Sequence, residues 1–187
     1  MRLFLALELA PELIHALELA ITPIREQAPG IAWVHEEKRH VTLKFLGEVP
    51  DDRLERIVAF TEAVASQHRR FVVELGGVGA FPNFRRARVV WIGVAHEARL
   101  ELLQHDLEVA GESEGFQIEG RAFRPHVTLA RVQGPLDAEH VRRLARAARS
   151  IDFTATQQVV AITLFESTLA QAGAPYRRLH VATLGGR

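Results

Sequence analysis

The sequence predicts an α+β fold with mainly antiparallel strand pairing. Three observations predict it. Short apolar runs of strand length alternate with stretches whose apolar residues fall at helical spacing. Glycine, proline or polar residues punctuate these runs. No linker-like or low-complexity segment divides the 187 residues, and 48% of them are hydrophobic. The chain therefore reads as one domain, 1–187, with enough apolar surface for a stable interior.

The first apolar run, Leu3 to Leu9, is bounded by Pro11 and reads as a strand. Leu13, Leu17, Ala20, Ile21 and Ile24 then fall on one helical face. Pro23 should kink or end that helix, and Pro29-Gly30 closes the segment. A second strand spans Arg39 to Leu46, stopped by Gly47 and Pro50. Asp52 with Glu55 resembles a capping box before a helix faced by Leu54, Ile57, Val58, Thr61 and Val64. Phe71 to Leu75 alternates as a strand and runs into a loop, GGVGAFPN. Val89 to Val94 is apolar on both faces, as a central strand would be. Leu100, Leu103, Leu107 and Ala110 mark a helix ended by Gly111 and Gly115. His126 to Val132 is a strand, followed by a helix capped by Asp137 and faced by Val141, Leu144, Ala145 and Ala148. Three strand-like runs close the chain: Ile151 to Thr156, Val159 to Ser167, and Arg178 to Leu184.

Composition narrows the chemistry. The 23 Lys+Arg balance 23 Asp+Glu, so general electrostatic binding to nucleic acid is not expected, and any such contact needs a local patch. There is no cysteine, which excludes disulfides, thiolate metal sites and cysteine nucleophiles and fits a reducing cytoplasm. The opening MRLFLALELAPELIH is broken by Glu8, Pro11 and Glu12 and makes a poor signal peptide. No stretch approaches the roughly 20 apolar residues of a membrane span.

The tetrapeptide His-Val-Thr-Leu occurs twice, at 40–43 and 126–129, 86 residues apart. Both copies lie in strand-like runs. Strand side chains alternate, so His40 shares a face with Thr42, and His126 with Thr128, while Val41, Leu43, Val127 and Leu129 point to the buried side. If the halves pack with pseudo-symmetry, two imidazole–hydroxyl pairs converge. Such a set suits phosphodiester chemistry without metal. Histidine, with a pKa near about 6.5, can take or give a proton near neutrality. Threonine hydroxyls can donate to non-bridging phosphate oxygens.

These residues resemble the 2H phosphoesterase superfamily, in particular its bacterial and archaeal RNA 2′,3′-cyclic phosphodiesterase (2′-5′ RNA ligase) branch. MRLFLALEL resembles its first strand and HVTLKFLGEV its first motif. GVGAFPNFRRARVVWIGV resembles the stretch between motifs, FRPHVTLAR the second motif, and LFESTLAQAGAPYRRL the C-terminal signature. The resemblance implies a bilobal, pseudo-symmetric fold: two mainly antiparallel sheets with outer helices and a central cleft. It implies hydrolysis of RNA 2′,3′-cyclic phosphate ends to 2′-phosphomonoesters, with no metal or other cofactor. His40 would be the general acid and His126 the general base, with Thr42 and Thr128 holding the phosphate. Ligation would exchange the two histidine roles by microscopic reversibility. The expected partners are RNA ends or nucleotide 2′,3′-cyclic phosphates, with no membrane and no obligate protein partner, for a cytoplasmic monomer. A phosphodiesterase acting on small cyclic nucleotides, and a non-catalytic RNA or nucleotide binder, remain open alternatives.

Arg124 and Arg131 flank the second motif as phosphate-binding candidates, and strand parity favours Arg124, which shares the phase of His126. Lys44 shares the phase of His40 and could line the same surface. Phe4 and Phe45 are candidates for base stacking, but core packing is the first expectation for both, and Phe45 has the phase of Val41. Arg142, Arg146 and Arg149, or Arg85, Arg86 and Arg88, could hold the RNA body. Two motifs fail. His35-Glu36 begins HExxH but meets Arg39 where the second histidine belongs, and Gly77-Val78-Gly79 lacks its third glycine, with Pro82 in that place.

Overall fold

Residues 1–28, 31–167 and 176–185 are described by the computed structural model of the chain. Its strands are β1 (Arg2–Glu8), β2 (Ala32–Trp33), β3 (His40–Glu48), β4 (Phe71–Phe81), β5 (Val89–Val94), β6 (His126–Arg131), β7 (Thr154–Val159), β8 (Ala161–Glu166) and β9 (Arg177–Thr183). Its helices are α1 (Pro11–Gln27), α2 (Leu54–Gln67), α3 (Ala98–Ser113) and α4 (Ala138–Arg149). The class is α+β, and every pairing between these strands is antiparallel. The order is β7-β4-β5-β6-β3-β1-β8-β9, with β2 on β6. The two expected sheets are thus two halves of one hydrogen-bonded sheet, joined where β3 meets β6 at the single register pair Val41↔Val127.

The helices cover one face. Leu13, Leu17 and Ile21 of α1, Ile57 and Val64 of α2, and Leu100, Leu103 and Leu107 of α3 pack on Leu3, Leu5, Leu7, Val41, Ile92 and Val127 of the strands. Leu144 and Ala147 of α4 join Ile24, Val90 and Ala130 in a second cluster. Burial of these side chains drives the assembly, at roughly 25 cal/mol per Å² of apolar surface. The opposite face stays open between the halves and carries a small cluster of Phe4, Ala6 and Phe165 with Tyr176. Among the described residues, no helix is long and apolar enough to cross a membrane.

Several expected boundaries move, each for a local reason. Pro23 does not end α1, which runs on to Gln27. Pro23 and Leu19, whose carbonyl loses its partner, both lie on the exposed side, where water can replace the missing bond. Pro29-Gly30 lies outside the described residues. The Asp52/Glu55 capping box does not form, because a 3₁₀ turn over Asp51–Arg53 feeds α2 directly and leaves Arg53 at the N-cap without a side-chain bond. The glycine-rich stretch is strand, not loop. Gly77, at φ +71°, sits in a bulge between Gly76 and Val78, and β4 continues to Phe81. Gly111 does not end α3 but lies inside it, where a Cβ would come within 2.5 Å of Lys44 Cε. Asp137 caps α4 as expected, accepting from the amides of Glu139 and His140 at 2.9 and 2.8 Å.

Candidate active site

The register between β3 and β6 builds the site. With Val41 opposite Val127, one step either way sets His40 across from Thr128 and Thr42 across from His126. All four side chains then lie on the open face, while Val41 and Val127 are buried beneath the sheet, 1% and 0% exposed. One strand comes from each half of the chain, so the halves supply matching imidazole–hydroxyl pairs to one surface.

The two imidazoles are held alike. His40 Nδ1 donates to the Lys38 carbonyl at 2.8 Å, and His126 Nδ1 donates to the Arg124 carbonyl at 2.7 Å. Each therefore carries its proton on Nδ1 and presents a basic Nε2 to the cleft. His40 Nε2 accepts from the Thr42 hydroxyl at 3.0 Å. Burial pushes His40 down to about 4, the Lys38 carbonyl opposes this, and the positive fields of His126 and Arg131 push further down. Burial, then Arg131, also lowers His126, against the Arg124 carbonyl. Arg39, next to His40, is buried and paired with Glu18 of α1, which ties the start of β3 to that helix.

Strand parity misplaces three residues, and one feature explains all of them. Along β3, Thr42 pairs with Ala6 but Lys44 pairs with Leu5, so Leu43 is an extra residue. Along β6, Thr128 pairs with Trp91 but Ala130 pairs with Val90, so Leu129 is extra. These bulges turn the following residues over. Lys44 does not line the cleft. It is 2% exposed beneath the sheet, where its Nζ donates to Glu108 at 2.6 Å and to the Gln117 carbonyl at 3.0 Å. Phe45 is not core. It emerges on the open face, 65% exposed, with its ring 6.1 Å from that of Phe4. Arg131 reaches the open face as well, which reverses the preference for Arg124. Phe45 and Arg131 occupy equivalent places, five residues after each histidine. Arg124 precedes β6; it is exposed and borders a pocket beside His126.

Of the aromatic walls, the sequence singles out Phe4 alone. His40 lies 4.9 Å from Phe4 and 5.4 Å from Tyr176, centroid to centroid. Phe4, 4% exposed, serves as packing under the imidazole, as expected. His126 lies 4.9 Å from Phe81 and 6.3 Å from Trp91. These walls strip water from the rings, and that desolvation is the largest cause of the lowered pKa values. Phe81, Trp91 and Tyr176 lie in the stretches that carry the family resemblance, and 168–175 of the C-terminal signature lies outside the described residues.

Two Nε2 atoms, two hydroxyls and the field of Arg131 on one surface can hold an anion and pass protons on either side of it. Among the described residues, no group of three His, Asp or Glu is arranged to hold a metal ion.

The likenesses to known proteins run over nearly the whole chain. A model of the 2′-5′ RNA ligase superfamily matches residues 11–167. A protein of Geobacillus stearothermophilus named RNA 2′,3′-cyclic phosphodiesterase is 34% identical over 88% of this chain, which spans 53% of that protein's length. A protein of the same name from Methanothermobacter thermautotrophicus is 30% identical, with 98% of each chain covered. The crystal structure of a Thermus thermophilus protein superposes with a TM-score of 0.81 at 29% identity, covering 100% of this chain and 99% of that one.

Proposed function

The chain belongs to the 2′-5′ RNA ligase superfamily, and we propose that it hydrolyses 2′,3′-cyclic phosphates at RNA ends to 2′-phosphomonoesters without a metal. The observation that carries this reading is the pair of matched Nε2 atoms presented to one surface by strands from both halves. Because the site needs a strand from each half, residues 1–187 act as one unit. The lack of cysteine fits a reducing compartment, and the reading is of a cytoplasmic monomer acting on RNA ends.

In this mechanism His126 Nε2 takes a proton from water as the oxygen attacks phosphorus. The P–O3′ bond breaks, and His40 Nε2 gives its proton to the departing 3′ oxygen. The entering and leaving oxygens lie on opposite sides of phosphorus, so each faces one histidine in this reading. Thr42 and Thr128 donate to the non-bridging oxygens, and Arg131 balances their charge. His40 must be protonated for its role, yet in the free protein it is neutral at pH 7, with a pKa near 4. An anionic phosphate reverses the positive field that lowers it and draws the proton on. A proton at Nε2 also releases the Thr42 hydroxyl, which can then turn to the phosphate.

The test is incubation with RNA ending in a 2′,3′-cyclic phosphate, in chelator, with the product identified. A 2′-phosphomonoester is expected. No ring opening, or opening that needs added metal, overturns the proposal. His40→Ala and His126→Ala should each lower kcat by about 10²–10⁴. A bell-shaped pH profile should reflect one protonated and one neutral imidazole.

A further inference from the structure

The walls of the two histidines differ in one respect. His40 faces packed aromatic rings, whereas His126 opens onto a pocket of about 340 Å³ at the end of β5 and the start of α3. Water, the nucleophile of hydrolysis, needs no such space. The volume falls within the range of small-ligand sites, about 300–1,000 Å³.

The lining is specific. Phe81, Trp91 and Phe123 supply aromatic surface, Glu97 and Glu101 supply carboxylates, and His96 and Arg124 line it as well. The backbone is cut away to admit the indole: a Cβ at Gly79 would come within 2.3 Å of the Trp91 ring, and one at Gly93 within 3.2 Å. The ring of Phe81 lies 5.0 Å from that of Trp91. Hydrogen bonds from Arg99 hold the Glu97 carboxyl well below the usual range, so it stays ionised. Glu101 accepts from His96 at 2.8 Å and keeps its other oxygen free of protein partners among the described residues. Arg99 occupies both Glu97 oxygens, so the acceptor left for a ligand N–H is the second oxygen of Glu101. Aromatic surface beside it suits a flat, uncharged heterocycle.

We infer that this pocket is a nucleobase subsite, which takes the base of a nucleoside whose phosphate lies at His126, and which favours bases bearing an exocyclic amine. Adenine, cytosine and guanine can donate that amine to the free oxygen of Glu101, as cytosine N4 donates to acidic side chains elsewhere. Uracil cannot. The inference rests on the proposed phosphate position between the histidines.

Trp91 reports on the pocket directly. The chain has two tryptophans, so Trp33→Phe leaves Trp91 as the sole indole emitter. That variant would be titrated with inorganic phosphate, adenosine 2′-monophosphate and uridine 2′-monophosphate, while its hydrolysis of 2′,3′-cyclic AMP is measured separately. Adenosine 2′-monophosphate should quench Trp91 saturably, and inorganic phosphate should not. Uridine 2′-monophosphate should need roughly fivefold higher concentration, given the scale of base stacking and one lost hydrogen bond. Adding Glu101→Ala, at an exposed position, should narrow that difference. Hydrolysis with no nucleotide-dependent quench, or an equal quench by phosphate alone, overturns the subsite. An unchanged adenine–uracil difference in Glu101→Ala overturns the carboxylate readout. A saturable quench without hydrolysis keeps the subsite and removes the proposed activity instead.

Discussion

At the scale of single residues, the surroundings of His40 hold it neutral. Its folded pKa, about 4, lies below the ordinary 6.5 because burial and two positive neighbours disfavour the cation. Between those values the unfolded chain binds a proton that the folded chain refuses. Stability therefore rises with pH across this window and is lost as pH falls from about 6.5 towards 4. The contribution is at most about 3 kcal/mol, and His126 acts in the same direction. Urea midpoints measured from pH 4 to 7 should show this slope, and His40→Asn should flatten it. Inorganic phosphate should oppose the loss, since a bound anion favours the protonated rings. Midpoints that fall equally steeply in His40→Asn would assign the slope to other groups.

At the scale of elements, the repeated bulge decides what the strands present. The burial pattern of His40–Phe45 matches that of His126–Arg131 residue for residue. Strand existence, the Asp137 cap, the central place of β5 and the shared face of each His-Thr pair were legible, because they follow from apolar spacing and strict alternation. The fates of Lys44, Phe45 and Arg131 were not. A bulge adds one residue, and no residue type marks Leu43 or Leu129 as the extra one. The glycines were misread for a related reason: Gly79 and Gly111 clear space for Trp91 and Lys44, a long-range fact that local turn chemistry does not contain. Two outcomes follow from the turned residues. Glu108→Ala leaves Lys44 buried without its counter-charge and should cost about 3–5 kcal/mol in chemical denaturation. Phe45→Ala should leave thermal stability nearly unchanged, because the ring is 65% exposed. It should raise KM on oligonucleotide ends by about fivefold or more and spare kcat, as expected for one lost stacking platform.

At the scale of the whole molecule, a formal charge of zero means that no global field draws RNA in, so salt sensitivity must come from a local patch. The two arginine clusters that are distant in sequence come together in the fold. The 3₁₀ turn Phe84–Arg86 packs on α4, which carries Arg142, Arg146 and Arg149, all exposed. The Arg88 carbonyl accepts from Val132 at 3.0 Å, directly after Arg131. Exposed arginines thus lie on adjoining segments from Arg131 through Arg88 to the 3₁₀ turn and α4, and none of Arg85, Arg86, Arg88, Arg142, Arg146 or Arg149 is in an ion pair among the described residues. Each phosphate neutralised on a single strand releases counterions, with a log–log salt slope of about −0.7 per contact. The affinity of a mononucleotide 2′,3′-cyclic phosphate should therefore fall only shallowly with salt. An RNA of several nucleotides with the same end should fall more steeply, and Arg85→Gln with Arg146→Gln should remove part of that extra steepness without changing mononucleotide turnover. Equal slopes for the two substrates would mean that the RNA body leaves the protein by another route and that these arginines are only a solvated surface.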